Sequence, residues 1–138
     1  MSFVSDSAMA ARSASYLTAV TSTELKNRAL EAIAAALQNN SDAIEAENSK
    51  DLANAETSGL AMPLRKRLLF DAGKIAAAVD GIKSLISLPD PVGRILLSTE
   101  MDEGLDLYRV TCPIGVIGII FESRPDALVQ IASLCLKT

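Results

Sequence analysis

The sequence has no histidine and no tryptophan, and aromatic residues make up only 4% of it. Without histidine it lacks the side chain that most often serves as a general base near neutral pH and most often ligates a metal. Positive charge is also scarce: 13 Lys and Arg stand against 17 Asp and Glu, a formal net charge of −4. That balance argues against a nucleic-acid binder, which needs a basic face for the phosphates. The one dense basic cluster, Arg65-Lys66-Arg67, reads as a solvated helix face, with an anion contact as the alternative. No apolar run approaches the roughly 20 residues needed to span a bilayer. The N-terminus has neither the basic nor the apolar region of a secretion signal. These absences predict a soluble, cytoplasmic chain with no nucleic-acid and no membrane partner. The two cysteines, Cys112 and Cys135, have no CxxC spacing. Their apolar surroundings predict two buried thiols in a reducing compartment, with a disulfide as the alternative.

What the sequence does contain is alanine and leucine within a hydrophobic content of 49% over 138 residues, enough for one ordinary domain. The first ninety residues have helical periodicity. Asp6 to Thr18 reads as a first helix. Thr21-Ser-Thr-Glu24 has the form of a capping box ahead of a stripe of Leu25, Ala29, Ile33, Ala36 and Leu37. Asn40 or Ser41 is placed to cap a third helix carrying Ile44, Leu52 and Ala55, which Gly59 would end by taking a positive φ. Pro63 can open a short helix through Leu68. Asp71 can cap a fifth helix whose buried face is Ile75, Val79, Ile82 and Ile86.

After the turn Asp90-Pro-Val-Gly93 the period changes. Arg94 to Met101 and Leu105 to Thr111 read as two strands joined at Asp102-Glu103-Gly104. Val116 to Phe121 reads as a third strand, apolar on both faces like a central parallel strand. Pro125 to Leu136 reads as a helix apolar nearly all round. The fold class is therefore α/β, with three segments: N-terminal helices over 1–89, a hairpin over 90–111, and one β–turn–α unit over 112–138. The last strand and helix need sheet neighbours and cover that no further segment supplies, which predicts a domain that begins near Thr111 and is cut off.

The chemistry-bearing residues cluster at that last turn. Gly115 and Gly118 precede or interrupt the strand, whereas a dinucleotide fingerprint places its glycines at the turn into the helix; close backbone packing explains them. Glu122-Ser123-Arg124-Pro125 puts a carboxylate, a hydroxyl and a guanidinium where a strand ends and a helix begins. Backbone N–H groups there favour anions, and arginine can hold a phosphate or carboxylate by two parallel hydrogen bonds. The alternative is a cap by Ser123 with a surface pair between Glu122 and Arg124.

Asp90-Pro-Val-Gly93, Pro113-Ile-Gly-Val-Ile-Gly-Ile-Ile-Phe-Glu-Ser-Arg-Pro125 and Ala132-Ser-Leu-Cys-Leu-Lys137, with Asn48-Ser-Lys-Asp51, Ser58-Gly-Leu60 and Arg67-Leu68 upstream, resemble the γ-glutamyl phosphate reductase (glutamate-5-semialdehyde dehydrogenase) family of the aldehyde dehydrogenase superfamily. The resemblance covers essentially the whole chain and only the N-terminal portion of the family. It implies NADPH-dependent reduction of L-glutamyl 5-phosphate to L-glutamate 5-semialdehyde with release of phosphate, the second step of proline biosynthesis. It implies a nucleophilic cysteine downstream of the matched region and absent from this chain, so that neither Cys112 nor Cys135 is that residue. It implies an oxyanion contact for Ser123, a substrate contact for Arg124, and a lining of the NADP ribose by Phe121 and Glu122. It likens the hairpin Arg94–Thr111 to strands that pair with another subunit, in a homo-oligomer. Family members are several-fold longer and continue with Ser-Gly-Asn where this chain has Thr138. The expectation is that this chain alone is inactive; a non-catalytic helical interaction module or a remnant is the alternative.

Overall fold

The computed structural model describes residues 3–122 and 124–138. Six helices and one hairpin follow in the order α1 (Phe3–Thr18), α2 (Thr23–Asn39), α3 (Ser41–Thr57), α4 (Met62–Leu68), α5 (Ala72–Ser87), β1 (Ile95–Asp102), β2 (Leu105–Val110) and α6 (Pro125–Lys137).

The helix ends obey local chemistry. Asp71 caps α5 by accepting from the Lys74 N–H at 2.9 Å. At the end of α3, Gly59 takes a φ of 71°, the Leu60 N–H reaches the Ala55 carbonyl at 2.9 Å, and the Gly59 N–H reaches Glu56 at 3.0 Å. That pair of bonds is the Schellman closure, which needs a residue at ease in the left-handed region. Lys74 Nζ closes α4 by donating to the Leu69 carbonyl at 2.6 Å. The cap of α2 falls one residue later than the capping-box reading: Ser22 accepts from the Leu25 N–H at 3.3 Å. Thr21 instead donates to the Leu17 carbonyl at 2.9 Å, because α1 runs to Thr18 and leaves carbonyls to satisfy.

The core lies between α2, α5 and α6. Leu30, Ala34, Val79 and Ile82 form one buried cluster, and Phe70, Ile75 and Ala78 form a second, with Val129 of α6 packed against both. Each large aliphatic buried here contributes about 1.5–3 kcal/mol relative to exposure. The buried stripe of α2 is turned by one residue from the reading of the sequence. It runs through Lys26, Leu30 and Ala34, while Leu25 and Ala36 are exposed. A lysine in that stripe was invisible to a hydrophobic count because its partners come from distant segments. In α3 the gap between Ile44 and Leu52 is filled by buried Asn48. Its amide donates to the Leu68 carbonyl at 2.9 Å and its carbonyl accepts from the Phe70 N–H at 2.7 Å. α1 buries no residue.

The hairpin is antiparallel, with Ile95 opposite Val110 and Thr99 opposite Leu107, and every residue of both strands is exposed. Its turn is Glu103-Gly104, with Gly104 at a φ of 73°. The predicted third strand differs. Residues 116–121 form no strand, and Val116, Ile117, Ile119, Ile120 and Phe121 are exposed. A strand exists through its ladder, because extended backbone must place its N–H and C=O groups on a partner or in water. Among the described residues the only sheet is β1–β2.

Candidate functional site

The candidate turn connects this exposed segment to α6. Phe121 and Glu122 are exposed, and Ser123 lies outside the described residues. Arg124 occupies the N-cap position of α6, with Pro125 following in the first turn. Proline is at ease there because its missing N–H would have had no helical partner. The Arg124 guanidinium is half exposed and lies 3.6 Å from Asp126, so Arg124 pairs within its own helix turn and not with Glu122. Asp126 sits near the positive end of α6, which favours a carboxylate. Its Oδ1 is buried without a hydrogen-bond partner among the described residues. The turn therefore presents a guanidinium to solvent with one carboxylate behind it.

A recess of about 440 Å³ adjoins the turn, lined by Ile44, Glu47, Asn48, Asp51 and Phe70 and reaching Pro125. A second, apolar groove of about 460 Å³ runs between α5 and α6, past Gly81, Leu85, Leu88 and the buried Ser133. A dinucleotide-binding βαβ unit of the GxGxxG kind receives the pyrophosphate at a glycine-lined turn opening a helix. The turn into α6 carries Arg124 and Pro125 instead, and Phe121 and Glu122 are exposed. The turn is therefore no glycine-rich pyrophosphate cradle of that kind.

The cysteines depart from expectation. Cys112 and Cys135 are both free and exposed. Cys112 follows the exposed hairpin, and Cys135 lines a small recess with Ser15, Lys26 and Pro113. Among the described residues no group of three His, Cys, Asp or Glu is placed to hold a metal. No helix among them is long and apolar enough to cross a membrane.

The sequence reading missed a buried polar cluster below the hairpin. Lys26 Nζ lies 3.2 Å from Asp90 Oδ2 and donates to the Lys137 carbonyl at 3.3 Å. Thr23 donates to the same Asp90 oxygen at 2.9 Å, and the Val92 N–H reaches the other at 2.9 Å. Lys137 is 1% exposed and donates to Asn27 Oδ1 at 2.8 Å and to the Ile86 carbonyl at 3.2 Å. Burial by itself pushes the Asp90 carboxyl up; the hydrogen bonds from Val92, Thr23 and Lys26 and the charge of Lys26 outweigh it and hold Asp90 below the usual carboxylate range. The one available signal was a turn, Asp90-Pro-Val-Gly93, whose aspartate can bond its own backbone two residues on.

No family model matches the chain. Among curated proteins it is 59% identical over 135 residues to the γ-glutamyl phosphate reductase of Acetivibrio thermocellus, covering 98% of this chain and 31% of that protein. It is 60% identical over 127 residues to the one from Pelotomaculum thermopropionicum, covering 92% of this chain and 29% of that protein. Its fold is similar to the crystal structure of γ-glutamyl phosphate reductase from Saccharomyces cerevisiae, with a TM-score of 0.94 at 43% identity over 99% of this chain and 35% of that one. The Thermotoga maritima structure gives 0.88 at 35% identity over 92% and 31%. The chain thus spans about a third of the length of the relatives it matches.

Proposed function

We propose that this chain, which matches the N-terminal portion of γ-glutamyl phosphate reductases, serves the reduction of L-glutamyl 5-phosphate to L-glutamate 5-semialdehyde with release of phosphate, with NADPH as the hydride donor. The reaction is that of proline biosynthesis, and the chain is inactive by itself. The observation that carries this reading is a likeness running through nearly the whole chain in both sequence and fold. Phe121-Glu-Ser-Arg-Pro125 is the part of it nearest to chemistry.

In this reading NADPH supplies a hydride, and the chain's own residues position and bind. Ser123 donates a hydrogen bond to the developing oxyanion, an interaction worth most where water is excluded. Arg124, half exposed at the start of α6, exchanges its pairing with Asp126 for the substrate phosphate or carboxylate. Phe121 and Glu122 line the cofactor ribose. The exposed hairpin is the strand pair through which copies associate. The segments over 1–89, 90–111 and 112–138 are then a helical support, an oligomerisation hairpin and the start of a cofactor-binding unit. The exposure of both hairpin strands also favours a second reading, a non-catalytic module that docks on a full-length reductase.

The experiment runs in reverse, with glutamate 5-semialdehyde, phosphate and NADP. The isolated chain should produce no NADPH. A chimera carrying this chain in place of the matching third of a full-length relative should turn over, with Ser123→Ala lowering kcat by about 10²-fold and Arg124→Lys raising KM through loss of the two-pronged contact. Turnover by the isolated chain, or an inactive but folded chimera, would refute the reading.

A further inference from the structure

The hairpin has no buried residue of its own, yet its base is densely bonded. Thr111 Oγ1 donates to the Pro91 carbonyl at 2.6 Å and accepts from the Arg94 N–H at 2.9 Å. The Gly93 N–H reaches the Thr111 carbonyl at 2.9 Å, and the Thr111 N–H reaches the Arg94 carbonyl at 3.0 Å. These bonds weld the hairpin to the turn 90–93, and that turn is held to the helical body through Asp90, which takes Thr23 and Lys26 on one oxygen and the Val92 N–H on the other.

Lys26 is 5% exposed and stands in an apolar stripe with Leu30 and Ala34. An apolar pair in place of both Lys26 and Asp90 would avoid the cost of burying charge, and buried ion pairs are often no more stabilising than such replacements. What an ammonium adds is direction, since it must point its protons at fixed acceptors. It has two here, on segments far apart in the chain: Asp90 at the hairpin base and the carbonyl of Lys137 at the end of α6. Lys137 in turn is fastened to α2 through Asn27 and to α5 through the Ile86 carbonyl.

We propose that Lys26 is an orienting residue whose one buried ammonium holds both the hairpin base, through Asp90, and the end of α6, through the Lys137 carbonyl, so that the direction of the hairpin and the seating of α6 are set together. The role does not depend on what the hairpin pairs with or on the reaction proposed above.

Two spin labels measure it in the 138-residue chain, at Thr99→Cys on β1 and Ser84→Cys on α5, in a background of Cys112→Ser and Cys135→Ser. Diluted into excess unlabelled chain, so that only distances within one copy are read, the parent should give one narrow distance distribution. Lys26→Met should widen it about two-fold, whereas Val79→Ala, a core truncation at least as costly in Tm, should leave the width unchanged. Asp90→Asn should widen it as well, and it reads the same contact if Lys26→Met does not fold. Asp90 bonds nothing on α6, so the shared hold also requires Asp90→Asn to speed amide exchange at Lys137 and Thr138 by at least ten-fold relative to Val79→Ala. An unchanged width in the folded Lys26 or Asp90 variant overturns the orienting role. A widened distribution with unchanged exchange overturns the coupling to α6.

Discussion

Single residues decide more of this structure than their types suggest. Asn48 sits mid-helix, where asparagine has little to offer an isolated helix, yet it satisfies the Leu68 carbonyl and the Phe70 N–H across the α4–α5 connection. Asn48→Ala strands two backbone groups and should cost about 1–3 kcal/mol, read by urea unfolding; an unchanged midpoint would mean that water replaces the amide. Asp90 makes a pH prediction. Its carboxyl is held below its usual value of 3.8, so at acid pH the unfolded state takes up the proton first. The stabilisation is complete above the unfolded value and is lost as pH falls through the lower folded one. Asp90→Asn, which leaves Lys26 buried without its counter-charge, should cost about 3 kcal/mol at pH 7. The gap to the parent should narrow, without closing, when unfolding is repeated near pH 3, below the unfolded value of 3.8. A gap of equal size at both pH values would show that the charge of Asp90 contributes nothing.

At the scale of elements, local rules carry most of the outcome. The caps at Asp71 and Gly59, the start of α4 at Pro63 and of α6 at Pro125, and the turn at Gly104 are each legible because the backbone there demands a particular residue chemistry. Gly59→Val should destabilise by about 1–2 kcal/mol, since a β-branched residue is costly at a φ of 71° while nothing stands within 4 Å of its Cβ position to relieve or worsen the effect. Differential scanning calorimetry checks it, and no loss of Tm would place the cost elsewhere in the α3–α4 link. Periodicity was less informative wherever a polar residue belongs in a buried stripe. The α2 stripe read as Leu25, Ala29, Ile33, Ala36 and Leu37; Ile33 and Leu37 do pack on the core, but Lys26 reads as solvent-facing until Asp90 and the Lys137 carbonyl are brought to it. The segment 116–121 shows the opposite error: its β-branched run has the composition of a buried strand, but composition cannot supply a ladder.

The whole molecule has one covered layer and one uncovered one. The α2–α5–α6 contact is packed, while the hairpin, residues 114–121 and the Leu128, Leu134 and Cys135 side of α6 expose apolar groups. Exposed apolar groups in this number drive association. In dilute solution the isolated chain should sediment above its monomer mass and bind a hydrophobic dye, and Ile120→Lys, at a fully exposed site, should reduce both. A dye-silent monomer would refute this. The candidate turn itself was found from residue types alone, since a carboxylate, a hydroxyl and a guanidinium stand together in the chain whatever the fold. The burial of Lys26 and Lys137, the pairing of Arg124 with Asp126 and the exposure of both cysteines needed coordinates. By itself the sequence determined what depends on neighbours within about five residues: which segments are helical, the caps at Asp71 and Gly59, the turns and the hairpin. Only the tertiary structure decided which charges are buried and which apolar runs are left bare. Those outcomes depend on groups far apart in the chain, such as Thr23 and Asp90 or Asn27 and Lys137, and the desolvation of a charge is favourable or ruinous according to whether such a partner arrives.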